Sequence, residues 1–288
     1  MPINPNPTIR QRRLARALRE LRVAAGLKHS DAATALGCNS SKMTRLENAQ
    51  SGIRSVDLRI LLDLYGVTDE GKRTELEALA KVGNQKGWWT RYGSRVDSAY
   101  AAYGALEQDA SDIYNVETNL IPGLLQTPAY TEALIRLQVP DASDDDVQTQ
   151  VQVRAERRKL LARAVPLQLW VVVAESVLRT RVGTAETMHA QLEFLLAASL
   201  EPNIELQVLR GDDPINACLY GPFVIMSFPN PGESDVVYTD SNTSTAYYEE
   251  PDDVETYTRL FRRLNLAACG VDESRRVISM AMTEMVQQ

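Results

Sequence analysis

The sequence is short of histidine, cysteine and long apolar runs, and each shortage excludes a class of function. His29 and His189 are its two imidazoles. Glu175 stands 14 positions before His189 with no further ligand beside it, so no metal site is expected. Cys38, Cys218 and Cys269 lie far apart and are odd in number. Neither a disulfide framework nor a zinc cluster fits them, and they read as three reduced, mostly buried thiols. No Walker loop, dinucleotide fingerprint or nucleophile elbow occurs, so no cofactor and no catalytic residue is expected. The apolar stretch from Leu167 to Ala174 is interrupted by Gln168 and is far too short to span a bilayer. The opening MPINPNPTIRQRR has basic residues with no apolar segment behind them and does not read as a secretory signal. The expectation is a cytoplasmic protein without membrane contact.

What is present is a chain of 288 residues with 44% hydrophobic content, enough for about two domains with substantial cores. The net charge of -7 conceals an asymmetry. Residues 1–60 hold 11 Lys or Arg against 4 Asp or Glu, and the remainder holds 20 against 34. A basic module joined to an acidic body implies that only the first part meets a polyanion.

The expected fold is an all-α N-terminal domain of five helices followed by a mixed α/β (α+β) domain. In the first part Leu14, Leu18, Leu21 and Ala25 recur at helical spacing before Gly26. A short helix, Ser30 to Leu36, ends at Gly37. Asn39 caps a third, Ser40 to Asn48. A fourth runs from Val56 to Tyr65, and Thr68 or Asp69 caps a fifth that ends near Val82. Gly83 to Gly87 reads as a hinge, with Trp88 and Trp89 anchoring the next segment onto a core. The division expected is 1–83, a linker at 84–94, and 95–288. Residues 95–163 read as mainly helical, with the acidic run Asp144-Asp145-Asp146 capping a helix that begins near Val147. Beyond them Leu167–Ala174, Ile204–Leu209, Pro222–Phe228, Asp235–Thr239 and Thr245–Tyr248 read as strands. The turn Pro229-Asn230-Pro231-Gly232 splits the third from the fourth. Met188–Leu200 reads as a helix, and two more, about 252–268 and 272–286, close the chain.

The segment KHSDAATALGCNSSKMTRLEN carries the functional argument. A helix that reads DNA must be held rigidly against a second helix with its outer face free. Ala33 is small where two helices would cross. Gly37 supplies a positive φ for the turn. Met43 and Leu46 share one face and can pack on Ala33 and Leu36. On a wheel of the third helix, Ser41, Thr44, Arg45 and Asn48 point away from that face, flanked by Ser40 and Lys42. Short hydroxyls with two cations suit the major groove. Arg grips guanine through two bonds, and Lys mainly neutralises phosphate.

Residues 13–67 thus resemble the Xre-type, lambda-repressor-like helix-turn-helix family. The resemblance implies phosphate contacts at the start of the second helix, on Lys28 and His29. It implies base contacts from Ser40, Ser41, Lys42 and Arg45, with Thr44 beside them. Glu47 matches a position that braces the scaffold. Family members often place Thr or Ser before the second helix and Gln next, where this chain has Lys28 and His29. Arg10, Arg12 and Arg13 in the basic N-terminal stretch can reach phosphate or a minor groove, and Arg54 completes the expected DNA-contacting set.

From about Trp88 onward the stretches LIPGLLQTPAYTEAL, RAERRKLL, LWVVVAESVLR, NIELQVL, GPFVIMSF and VVYTD resemble the companion domain of actinobacterial WhiJ-like, antitoxin-like transcriptional regulators. In PGLLQTPAY, Pro122-Gly123 reads as a turn, and Thr127-Pro128 as a cap and first helical residue. Three functions are compatible with the whole. The first is a DNA-binding repressor or activator whose large domain senses a small molecule, marked by a closed apolar pocket. The second is an antitoxin-like regulator whose large domain binds a small protein encoded nearby. The third is an enzyme with a DNA-targeting module, marked by carboxylates of raised pKa in a cleft. The expected partners are double-stranded DNA and a second copy of the chain, since related regulators read two half-sites as symmetric dimers.

Overall fold

The computed structural model describes residues 9–83, 92, 98–218, 221–229, 234–241 and 243–286. The chain divides into two compact units, one built on residues 1–90 and one on residues 91–229 and 234–288. Residues 84–87 of the expected hinge, Trp88, Trp89 and residues 230–232 of the expected turn lie outside the described residues, as does the side chain of Cys218.

The first unit is helical: α1 (Ile9–Ala24), α2 (His29–Ala35), α3 (Ser40–Glu47), α4 (Ser55–Leu64) and α5 (Glu70–Gly83). One apolar face of each helix meets in a common core around Leu18, Met43, Leu58, Leu61, Leu62 and Leu76, all essentially inaccessible to solvent. The turns before α2 and after it each need a left-handed residue, and Gly26 (φ +69) and Gly37 (φ +61) provide it without a Cβ penalty. Of the two expected caps for α5, Asp69 is the one used: its Oδ1 accepts from the Lys72 amide at 2.8 Å.

The second unit is α+β. Its elements are α6 (Ser98–Asp109), β1 (Asp112–Glu117), α7 (Pro128–Gln138), α8 (Asp144–Arg158), β2 (Gln168–Ala174), α9 (Glu175–Arg179), α10 (Ala185–Ala198), β3 (Ile204–Leu209), β4 (Phe223–Ser227), β5 (Val236–Asp240), β6 (Thr245–Tyr248), α11 (Pro251–Ala267) and α12 (Val271–Val286). The strands form one mixed sheet in the order β3-β2-β1-β4-β5-β6. β1, β2 and β3 run parallel, and β4, β5 and β6 continue the sheet antiparallel. One face is covered by α11, where Phe261 and Leu264 pack on Val116, Val172, Ile225 and Val237. The α11–α12 corner also closes the β3 edge. The Val208 amide donates to Ser274 Oγ at 2.9 Å, and the Cys269 amide donates to the Val208 carbonyl. These bonds occupy the amide and carbonyl of Val208, which blunts this edge for pairing with another strand.

Residues 98–163 are mainly helical, as expected, with one exception that was not: 112–117 forms an interior strand of the sheet. Asp112, Asn115 and Glu117 break the apolar pattern of DIYNVE, so local propensity is weak. The strand exists because β2 and β4 hydrogen-bond to it on both sides. The acidic run also differs in detail. Ser143 is the cap, accepting from the Asp146 amide at 3.2 Å, and the three aspartates are the first turn of α8, where they face the positive end of the helix dipole. The corner at PGLLQTPAY forms as expected. Thr127 Oγ1 accepts from the Tyr130 amide, Pro128 opens α7, and the Gln191 side chain ties the corner down through Thr127 N and Leu125 O, each at 2.7 Å.

Candidate nucleic-acid interface

α2 and α3 are joined by the turn at Gly37 and held by burial of Ala33, Met43 and Leu46. Asn39 starts α3 by accepting from the Lys42 amide at 2.9 Å. Ser40, Ser41 and Thr44 are exposed, and Thr44 Oγ1 donates back to the Ser40 carbonyl at 3.1 Å. The outer face of α3 therefore offers short hydroxyls to solvent.

The bracing of this face is electrostatic as well as apolar. Glu47, at the end of α3, is buried and accepts from Arg22 Nε and Nη2 at 2.7 and 2.9 Å. Arg22 is buried too, and its Nη1 donates to the Leu27 carbonyl at 2.7 Å. One bidentate pair thus ties α1 to α3 and to the turn before α2. The hydrogen bond that Arg22 donates to Glu47 pushes the Arg22 pKa still higher, so the guanidinium stays charged. Glu47 was the expected brace; Arg22 was not singled out. The two are 25 positions apart, and no local pattern pairs them.

His29 and Lys28 fall at the start of α2. His29 Nε2 lies 3.0 Å from Glu47 Oε2, so its imidazole joins the brace while remaining partly exposed. Lys28 is exposed, and its amide donates to Asp31 Oδ2 at 2.7 Å. Asp31 thus replaces half of the missing capping box: the lysine side chain has no acceptor, so the reciprocal bond cannot form.

Lys42 and Arg54 converge on one buried acid. Asp57, on α4, receives Lys42 Nζ at 3.1 Å on Oδ2 and Arg54 Nη2 at 2.7 Å on Oδ1. The Arg54 hydrogen bond, with Lys42 beside it, holds the Asp57 carboxyl below the usual carboxylate range. The structure thus brings together two residues of the expected DNA-contacting set, Lys42 and Arg54, through an aspartate that sequence reasoning did not use.

Arg45 departs from the wheel. It is only half-exposed, and its Nε is buried without a partner. A long side chain lays its stem along the domain surface even when its base points outward. Arg12 is exposed and Arg13 half-buried, while the side chain of Arg10 lies outside the described residues.

Comparison with known families divides the chain in the same way. A helix-turn-helix domain model matches residues 13–82, and a model described as a domain of unknown function (DUF5753) matches residues 100–280. No curated protein and no solved structure matches the chain. Among the described residues no helix is long and apolar enough to cross a membrane. With the helix-turn-helix domain of a DNA-binding regulator at its N-terminus and the second match spanning most of its length, the chain belongs to the DUF5753 family.

Proposed function

We propose that this protein is a sequence-specific regulator of transcription of the Xre, lambda-repressor-like type. It reads double-stranded DNA in the cytoplasm as a homodimer, with a WhiJ-like large domain that binds an effector rather than catalysing a reaction. The observation that carries the reading is the exposed hydroxyl face of α3 on a helix pair locked by the Arg22–Glu47 bridge. A reading helix loses discrimination if its position drifts, and a buried bidentate bond removes that freedom. Ser40, Ser41 and Arg45 are assigned to base edges. Lys28, Lys42, Arg54 and the basic stretch of α1 are assigned to phosphates.

An apolar stripe supports self-association through α4. Val56, Ile60 and Leu64 recur every fourth residue and are 66%, 37% and 37% exposed. That spacing lines them along one face of the helix, and a second copy of the chain would cover them symmetrically. A monomer mass that persists on DNA at micromolar concentration would sink the dimer.

The DNA reading is tested by fluorescence anisotropy on the protein's own upstream DNA against a scrambled duplex across a salt series. Preference for the upstream DNA is expected to survive near-physiological salt. Arg45→Ala should cost about 1–3 kcal/mol on the specific site and little on random DNA. Equal losses on both would move Arg45 to the phosphates. No binding to either duplex at low salt would remove the reading itself.

A further inference from the structure

The second unit contains a recess of about 640 Å³ on the sheet face opposite α11. Its floor is the carboxyl end of β1, with Asn115 and Glu117. One wall is α6 and α8, with Tyr103, Arg154 and Arg157, and another is the end of β5, with Tyr238 and Asp240. This lies outside the carboxyl end of a parallel strand, where the order of the sheet turns from β2 and β3 on one side to β4 on the other. Open sheets with such a reversal place their ligands there, and the volume suits a small organic molecule.

Two opposite-charge sets lie in the recess, and they are treated differently. Arg157 is fully paired: Nε and Nη2 donate to Glu107 at 2.6 and 2.7 Å, and Nη1 donates to Tyr100 Oη at 2.5 Å. Glu117 and Arg154 are not paired with each other. Arg154 has Gln126 Oε1 and Tyr100 as partners, and its Nε is buried with none. The closest donor on Glu117 is Asn115 Nδ2 at 3.4 Å, longer than a good hydrogen bond. Glu117, Arg154 and Asp240 nevertheless line the same recess. Among the described residues neither has an ion-pair partner. Recessing an acid and a guanidinium without closing them on each other is costly. The cost is offset when a ligand inserts its own charges between them. Tyr103 and Tyr238, which also line the recess, pack ring to ring at 4.6 Å.

We infer that the recess binds a zwitterionic α-amino acid, or a molecule with the same head group, with its ammonium on Glu117 and Asp240, its carboxylate on Arg154 and a large side chain against Tyr103 and Tyr238. An ammonium and a carboxylate on one carbon match an acid and a guanidinium that line one recess without closing on each other. The volume beyond them leaves room for a side chain as large as an aromatic ring. The inference deepens the reading of the large domain as an effector-binding domain.

Calorimetry of the full-length protein against the standard α-amino acids is the test, with anisotropy on upstream DNA run on the same samples. At least one amino acid with a large side chain is expected to bind saturably. Its decarboxylated amine and its deaminated acid should each bind about tenfold weaker or worse, the loss of one charge-assisted contact. Glu117→Gln and Arg154→Gln should each weaken binding by at least about tenfold, while ligand-free DNA binding stays within about twofold. No heat with any amino acid at about 10 mM, where even a very weak site would fill, overturns the inference. So does an amine that binds as well as its parent amino acid, or a folded Glu117→Gln protein with wild-type affinity. If Arg154→Gln unfolds the domain, the Glu117 variant and the two analogues still decide. DNA binding that survives these failures leaves the regulator reading standing; its loss with amino-acid binding intact leaves the recess standing without it.

Discussion

The two units handle buried charge in opposite ways. In the helical unit the buried residues that carry charge are closed on partners, Arg22 on Glu47 and Asp57 on Arg54 and Lys42, and an unpartnered nitrogen is left only on half-exposed Arg45 among the residues discussed above. In the α+β unit Arg157 is closed on Glu107, but Glu117 and Arg154, in the same recess, are left open. A closed pair fixes geometry, which a scaffold needs. An open pair raises the energy of the empty protein, which a binding site can recover on occupancy.

The largest effect should come from breaking a closed pair. Glu47→Ala leaves Arg22 buried and uncompensated and should cost about 3–5 kcal/mol of the stability of the helical unit, read as an early transition in urea unfolding followed by circular dichroism. A loss under about 1 kcal/mol would mean that water reaches Arg22 easily and that the bridge does not lock the helices.

Neutralising an open charge should act in the other direction, and only at high pH. Burial first, with Asp240 nearby, pushes the Glu117 carboxyl up to about 7, against the partial relief of Asn115 and Arg154. The folded protein then holds a proton that the unfolded chain has released between its ordinary carboxyl value and about 7. Stability must therefore fall as pH rises through that window and level off above it. Glu117→Gln removes this dependence. It should stabilise the α+β unit by about 2–3 kcal/mol at pH 8 and by little near pH 4. Equal stabilisation at both values would assign the gain to packing and not to charge.

The smallest effect tests whether the cations on Asp57 also serve DNA. Lys42→Ala should weaken specific and random duplexes alike and lower the salt slope by about 1. An unchanged slope with lower stability would make Lys42 a partner of Asp57 alone. For Asp57 the sign is the usual one for a carboxylate held low: its contribution is present above the ordinary value and lost as pH falls through the depressed one.

The helices of the first unit were legible in the sequence, because the features that start, stop and orient them are local. Gly37 follows from the turn, Asn39 from the cap, and Met43 and Leu46 from a 3.6-residue period, so the reading face could be drawn before any tertiary contact was known. The strongly apolar strands β2, β3 and β4 were legible for the same reason. So were β5, β6 and the helices α10, α11 and α12, but three features depend on distant contacts. β1 is a strand because its neighbours make it one, against the grain of Asp112, Asn115 and Glu117. Arg22 finds Glu47 across 25 positions and Arg157 finds Glu107 across 50. The recess joins residues from α6, β1, α8 and β5, whose separation along the chain leaves no periodic signal. Local rules propagate through hydrogen-bonded turns of a few residues, whereas charge and cavity depend on which distant segments the sheet order places side by side.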